Sequence, residues 1–196
     1  MFTPGEIRAG LIGSWQLLKG DPRGMTYFDT SIEGFFRSFW VFVLLLVPFA
    51  ISIGGEYKME IAKFADPRGF PTIFYIVMQA IAYLVMWFAF PAVLALLARP
   101  LGIAERYVPY IVARNWTSTI GTLVYLVPTL LFLADLLSMK ALSGHLLFAL
   151  LFNLYYSFVV TRIAAGTPIG FSIGLVMLDF VLTLLVNTVV ERLIGI

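Results

Sequence analysis

The sequence predicts an all-α protein: a polytopic bundle of five transmembrane helices, preceded by an amphipathic helix at the membrane interface. The 196 residues are 61% hydrophobic and only 12% charged, whereas about 25% of the residues in soluble domains are charged. Long apolar blocks contain most of the hydrophobic residues, and about 20 apolar helical residues cross a bilayer core. The spans are predicted at about residues 31–54, 71–98, 115–137, 141–162 and 169–192, within a domain over residues 31–196.

Residues 1–30 are predicted to form a separate interfacial segment with one short helix, over residues 4–19. On a helical wheel its apolar residues lie within about 80° of one another; they are Ile7, Leu11, Trp15 and Leu18. Such a helix lies in the plane of the lipid headgroups with Trp15 at the boundary, or it packs as an ordinary helix on the bundle. Gly10 and Gly13 destabilise it as an isolated helix, so we expect contact with lipid or protein to hold it.

The motif Asp-Pro-Arg-Gly occurs twice, at residues 21–24 and 66–69, each time shortly before a predicted span. Asp at the first position, Pro at the second and Gly at the fourth are typical of a type I turn. The favoured interpretation is therefore a pair of turns at the membrane surface. The alternative is a repeated anion site, in which Arg23 and Arg68 contact lipid phosphates.

Span 1 is predicted to begin at a capping box in Thr30-Ser31-Ile32-Glu33. An aromatic belt follows at the interface, formed by Phe35, Phe36, Phe39 and Trp40. Pro48 predicts a kink in span 1 and Pro91 a bend in span 2, because proline cannot donate to the helix ladder. The connector over residues 101–116 mixes charged, aromatic and apolar residues, which indicates an interfacial lead-in to span 3.

The order of the spans predicts the orientation of the chain. Spans 3 and 4 are joined through residues 138–144 and should form an antiparallel hairpin, and five spans put the termini on opposite sides. Eight of the thirteen Lys and Arg residues lie toward the amino-terminal side, so the positive-inside rule favours a cytoplasmic amino terminus. Arg outnumbers Lys, which is typical of a GC-rich genome, and we expect a multi-pass protein of a bacterial inner (plasma) membrane.

Span 5 carries four polar residues that share an arc of about 80° on a helical wheel: Ser172, Asp179, Thr183 and Asn187. A charge at bilayer depth costs about 2.5–3.5 kcal/mol on insertion scales, so it faces the bundle or water. Asp179 is interpreted either as part of a proton relay or cation-pairing site, or as part of a hydrogen-bonded seam between helices. The structural interpretation is favoured.

A second seam runs along span 3 within a similar arc: Asn115, Ser118, Thr122, Tyr125 and Thr129. Hydroxyl and amide groups of this kind link transmembrane helices, at roughly 0.6 kcal/mol each, and this interpretation is favoured over a solute path. Arg114 lies near the mouth of the seam, where it can pair with Asp179 or meet a lipid headgroup. On span 4, His145, Asn153 and Tyr156 share roughly one face, and the histidine is interpreted as an interfacial hydrogen-bonding residue.

No arrangement in the sequence predicts catalysis. The chain has no cysteine, which excludes disulfides, thiolate metal sites and a cysteine nucleophile. Asp135, Ser143 and His145 supply the residue types of a hydrolytic triad, but no nucleophile elbow surrounds the serine. We predict no metal, no cofactor and no enzyme activity, and a net charge of +2 is too small to favour nucleic-acid binding.

Gly170 and Gly174 form a GxxxG pattern at the start of span 5. Small residues at this spacing allow two helices to approach closely. The pattern indicates either dimerisation or close packing inside the bundle. We expect membrane lipids as partners, together with a second copy of the chain or another membrane protein.

The layout resembles the Yip1-like family of small five-span membrane proteins. The likeness rests on the aromatic, polar segment Tyr27–Trp40 before the first span and on closely spaced helices through Val190. The chain is also similar to uncharacterised bacterial inner-membrane proteins, whose connector type is seen here from Glu105 to Trp116. The first resemblance implies roles in membrane traffic and in binding small GTPases. Both are likenesses of architecture and assign no functional residue.

The sequence favours one function for this bundle and leaves one alternative open. The favoured prediction is a scaffold, assembly factor or accessory subunit that acts through helix packing and contacts at the membrane interface, because no titratable groups converge in the sequence. The alternative is a small oligomeric transporter or channel that uses Asp179 and the polar seam of span 3. A third class, an intramembrane enzyme acting on lipid, lacks a nucleophile–base pair.

Overall fold

A computed structural model describes residues 2–64 and 66–195, and in these residues it contains helices and no strand. The described chain forms seven α-helices: α1 (Pro4–Leu18), α2 (Ile32–Ser38), α3 (Val41–Ile61), α4 (Thr72–Leu97), α5 (Ala104–Leu133), α6 (Met139–Ala164) and α7 (Ile169–Ile194). Short 3₁₀ turns over Pro22–Tyr27 and Pro67–Gly69 precede α2 and α4.

Five helical segments of the described chain are long and apolar enough to cross a membrane, which confirms the predicted fold class. The first joins α2 and α3 across a bend at Phe39 and Trp40, and α4 to α7 supply the other four. Their outward faces carry many exposed Leu, Ile, Val and Phe side chains, which suit lipid rather than water. The chain is therefore an integral, multi-pass membrane protein.

The five spans form a closed ring in the order α3, α4, α7, α6 and α5, and α5 contacts α3 again. Successive spans alternate in direction: Tyr110 meets Thr161, and further along α5 Gly121 meets Asn153. The amino ends of α3, α5 and α7 thus share one end of the ring, called here the amino-terminal end. The opposite end, where α7 finishes, is called the carboxyl-terminal end.

A hydrophobic core closes the amino-terminal end of the ring. Its buried side chains come from all five spans and include Val41, Phe90, Ile111, Val160 and Leu175. Helices α4 and α5 also touch each other here, since the Tyr107 hydroxyl donates to the Pro91 carbonyl at 3.0 Å. The core at the carboxyl-terminal end is smaller and lies on α3, α4 and α7, so space remains between the helices in that half.

Helix α1 packs on α5 and α6. Its buried face consists of small residues and one leucine: Gly10, Gly13, Ser14 and Leu17. A Cβ on the first of these glycines would overlap the ring of Trp116, and the Tyr156 hydroxyl donates to the Ser14 carbonyl at 2.5 Å. Leu11 and Trp15, from the predicted apolar stripe, stay exposed. The glycines that weaken the isolated helix therefore allow the close approach that holds it on protein.

Two helices extend beyond the charge-free blocks. Helix α3 continues to Ile61, well past the predicted end at residue 54, and so carries Glu56, Lys58 and Glu60. Helix α5 begins at Ala104, so most of the predicted connector is its first turns. The helical ladder continues through charged residues because their side chains reach partners or a cavity: the Lys58 ammonium, for example, lies 2.5 Å from the Asp135 carboxylate.

The two Asp-Pro-Arg-Gly motifs form 3₁₀ turns with the same hydrogen bonds. The Asp21 carboxylate accepts from the Arg23 N–H at 3.0 Å, and the Asp66 carboxylate accepts from the Arg68 N–H at 3.0 Å. Each arginine also pairs with the aspartate of its own turn. This geometry is that of two well-formed turns, with the arginine charges already compensated.

The first residue of span 1 is capped differently from the prediction. The Ser31 hydroxyl, and not that of Thr30, accepts from the Gly34 N–H at 3.0 Å. A reciprocal capping box forms instead at α1, where Thr3 and Glu6 accept from each other's backbone N–H groups. The prediction was one residue early because Thr and Ser are adjacent and both suit the N-cap position.

Candidate functional site

Two adjacent cavities lie inside the ring. The larger, of about 540 Å³, is lined by all five spans and reaches the last turns of α3 and α7 through Glu60 and Glu191. The smaller, of about 260 Å³, lies deeper and contains Arg114 and Asp179. The two share the lining residues Phe49, Tyr83, Met86, Thr122 and Thr183. We call them the mouth cavity and the base cavity, and together the central cavity.

Arg114 and Asp179 form a bidentate ion pair in the base cavity. The guanidinium Nε donates to Oδ2 at 3.1 Å and Nη2 donates to Oδ1 at 2.9 Å, while the guanidinium carbon lies 5.0 Å from the centre of the Phe90 ring. Each partner lies ten residues beyond the first residue of its helix, or about 15 Å along the axis. The pair therefore joins α5 to α7 deep within the ring.

The hydroxyl groups of the span 3 seam line the central cavity: Ser118, Thr122, Tyr125 and Thr129. The Ser118 hydroxyl donates to the Asn115 carbonyl at 2.6 Å, and the Thr129 hydroxyl donates to the Tyr125 carbonyl at 2.8 Å, both within α5. On α7, the Thr183 hydroxyl donates in the same way to the Asp179 carbonyl at 3.0 Å. These three hydroxyls bond to their own helices and leave polar surface toward the cavity.

The asparagine side chains behave differently, because two of them do join helices. The Asn115 amide is fully buried and donates to the Ser38 hydroxyl at 2.9 Å, which places it on the α2 side, outside the central cavity. The Asn153 amide lines the base cavity and donates to the Gly121 carbonyl across to α5 at 3.2 Å. Asn187 lines the mouth cavity.

Carboxylates at the mouth cavity were missed by the sequence reasoning, which ended span 1 before the first charge. Glu56 accepts from the Tyr83 hydroxyl at 3.1 Å. Glu60 and Glu191 line the same cavity, and Glu60 pairs with Lys63 at 2.6 Å. The sequence does contain a signal for these carboxylates, because residues 49, 52, 56 and 60 lie on one helical face that continues past the predicted end of span 1.

The remaining predicted residues lie away from the central cavity. His145 is exposed, and its Nδ1 lies 2.8 Å from the Ala141 carbonyl. Trp15 is exposed on α1, with the Lys19 ammonium 5.2 Å from its ring centre. Arg23 and Arg68 hydrogen-bond to the aspartates of their turns, and this hydrogen bonding holds the pKa of both carboxyls below the ordinary range. None of these four lines the cavity.

The geometry therefore brings together Arg114, Asp179, Thr122, Tyr125 and Thr183 around one space. Asn153 and Asn187 complete its amide lining. Such a space can admit water and a small polar solute through the mouth, with the ion pair at its base. Comparison of the chain with protein-family models, with curated proteins and with solved structures returned no significant match.

Proposed function

We propose that the chain belongs to the transporter or channel class and admits a small polar solute into the central cavity from the carboxyl-terminal end. One observation carries the proposal: the hydroxyls of Ser118, Thr129 and Thr183 line the central cavity and bond within their own helices, not to neighbouring ones. Polar side chains stabilise a transmembrane bundle when they hydrogen-bond from one helix to the next, so an inert packing ring gains nothing from hydroxyls that bond only within their own helices. The mouth cavity, at about 540 Å³, has the size usual for small-molecule sites.

The position of the ion pair supports the same proposal. Arg114 and Asp179 lie where the cavity ends and the hydrophobic core of the amino-terminal end begins. A solute that crosses the ring must pass between α5 and α7 at this level. We therefore propose that the pair rearranges during passage, so that the core opens only when a solute occupies the base cavity.

A scaffold or accessory role is supported by a different observation. A Cβ built on Gly170 or Gly174 meets no atom from another element of the described chain within 4 Å, and the neighbouring Ile173 and Met177 are exposed. Close packing inside the bundle therefore does not explain this GxxxG pattern, which leaves association with a second copy or another membrane protein. Native mass spectrometry in mild detergent tests it: a strictly monomeric protein without a partner counts against it.

The distribution of Lys and Arg residues between the two ends of the ring supports the orientation predicted from the sequence. Arg114 lies inside the ring, so seven Lys and Arg residues stay toward the amino-terminal end, against five toward the other. This bias favours a cytoplasmic amino-terminal end in a bacterial inner membrane, with the mouth cavity on the opposite side. A reporter fused to the carboxyl terminus tests it, because cytoplasmic reporter activity would contradict the orientation.

Solute uptake is tested directly with proteoliposomes that are incubated in a cellular small-molecule extract, washed and analysed by mass spectrometry. The paired variants are Thr122→Trp, which fills the cavity, and Leu123→Trp, which places the same large side chain on the exposed surface of α5. We expect at least one solute to accumulate with the unaltered chain and with Leu123→Trp, and not with Thr122→Trp. Uptake equal to that of empty liposomes would overturn the proposal, provided that both variants purify as monodisperse protein.

A further inference from the structure

The mouth cavity is lined by carboxyl groups, two of which have no cationic partner in the described chain. Its lining includes three carboxylates, on Glu56, Glu60 and Glu191, and the described lining residues include no Lys, Arg or His. Glu60 is compensated by Lys63 at 2.6 Å. In the described chain no Lys or Arg nitrogen lies within 4.0 Å of the other two carboxylates. The Arg114–Asp179 pair at the base is neutral as a unit.

The volume of the mouth cavity indicates a solute independently of its carboxyl groups. An uncompensated carboxylate inside a membrane bundle is costly unless it takes up a proton or a positive group approaches it. The volume beside these carboxylates, about 540 Å³, is far larger than a proton or one water needs. It fits a solute that brings its own positive charge together with several carbon atoms.

Aromatic groups surround the deepest of the carboxylates. The Tyr83 ring, whose hydroxyl donates to Glu56, stacks on Phe49 with centroids 4.7 Å apart. Tyr75 and Tyr125 line the same cavity. Carboxylates flanked by aromatic rings are the groups that recognise substituted ammonium ions, through charge and cation–π attraction. In the described chain no three acidic or histidine side chains converge to hold a metal ion, so the pattern favours an organic cation.

We propose that the solute of the central cavity is a small organic ammonium ion, held by Glu56 as its counter-ion and by Tyr83 and Phe49 as its aromatic wall. This inference rests on the proposed function, because it assigns a substrate class to the same cavity. Glu191, near the end of α7, draws the cation toward the mouth. The solute's ammonium group occupies the mouth cavity, and the Arg114–Asp179 pair stays intact below it.

The test uses two probes that have nearly the same shape and differ in charge. Choline carries a trimethylammonium group, and 3,3-dimethylbutan-1-ol carries an uncharged tert-butyl group in its place. Binding of each is measured by isothermal titration calorimetry on the full chain in nanodiscs. The variants are Glu56→Gln and, as a matched control, Glu33→Gln, which makes the same change on the exposed face of α2.

We expect choline to bind at least tenfold more tightly than the alcohol, and Glu56→Gln to lose at least tenfold in choline affinity while Glu33→Gln keeps it. Equal or tighter binding of the alcohol would overturn the cation assignment and leave solute binding intact. Failure of both probes to bind would also overturn it. Uptake from the cellular extract into proteoliposomes tests the proposed function separately. If neutral or anionic solutes accumulate, the transporter proposal stands and only the assignment of an organic cation is overturned.

Discussion

Arg114 and Asp179 each supply the counter-ion of the other inside the membrane-spanning ring. Each alone is an ionisable group at membrane depth, and together they make parallel hydrogen bonds of about 3 Å in the geometry that is strongest for arginine and carboxylate. Their side chains keep 20% and 26% of their accessible surface, and both line the base cavity. The pair is thus less costly than a dry one and remains able to exchange partners.

Removing one partner should destabilise the bundle more than removing both. Asp179→Asn leaves the guanidinium buried without its counter-ion, and fully buried cases cost about 3–5 kcal/mol. Because this pair is partly accessible, we expect about 1–3 kcal/mol for Asp179→Asn or Arg114→Met, and a double variant Arg114→Met/Asp179→Leu more stable than either. The free energy of unfolding of each variant is measured in mixed detergent micelles. If the losses of the two single variants simply add in the double variant, the pair is not coupled.

At the scale of the element, α1 depends on glycine for its contact with the ring. Gly10 faces Trp116, which is only 6% exposed and has little room to move. The Phe2 ring packs against the same tryptophan, with centroids 4.9 Å apart. The helix is therefore docked by shape, and its exposed Trp15 remains available to the lipid headgroups.

A methyl group at this position should release the helix. For Gly10→Ala we expect a loss of about 1–3 kcal/mol from overpacking, reduced by up to about 1 kcal/mol from better helix propensity. Gly5→Ala on the same helix is the control, because the nearest atom lies 3.8 Å away. Limited trypsin digestion after Lys19 measures the release. Equal protection of the two variants would show that the glycine face does not hold α1.

Low pH should weaken the attachment of α1. Backbone donation from Thr3 lowers the pKa of Glu6, hydrogen bonds from Ser31 lower that of Asp29, and Arg37 contacts both carboxylates. Groups with lowered pKa stabilise the fold above their ordinary values, and this share is lost as the pH falls through about 4 and below. We expect the thermal midpoint to fall from pH 5 to pH 3, and to fall less in Glu6→Gln/Asp29→Asn. If the thermal midpoint falls equally in the unaltered chain and in the double variant, these two carboxylates are not the origin of the acid sensitivity.

For the whole molecule, sequence periodicity was sufficient to predict the number and type of spans, because lipid imposes helices of a set length and polarity. It also predicted the polar faces of α5 and α7. It did not predict where these faces point: whether Thr122 meets a helix or a cavity depends on how five helices close into a ring. Nor does it predict Glu56 as a cavity residue, since the charge-free block ends before this residue although the helix continues to Ile61.

The central claim is that the ring encloses a water-accessible cavity that opens at one end. The chain has no cysteine, so single cysteines can be placed along α5 and treated with a charged, membrane-impermeant thiol reagent in sealed vesicles. We predict reaction at the cavity-lining positions 118, 122, 125 and 129, from the carboxyl-terminal side only. Positions 123, 127 and 130, which face outward, should stay unreactive. Labelling that follows the outward positions, or none at the lining positions, would contradict the account.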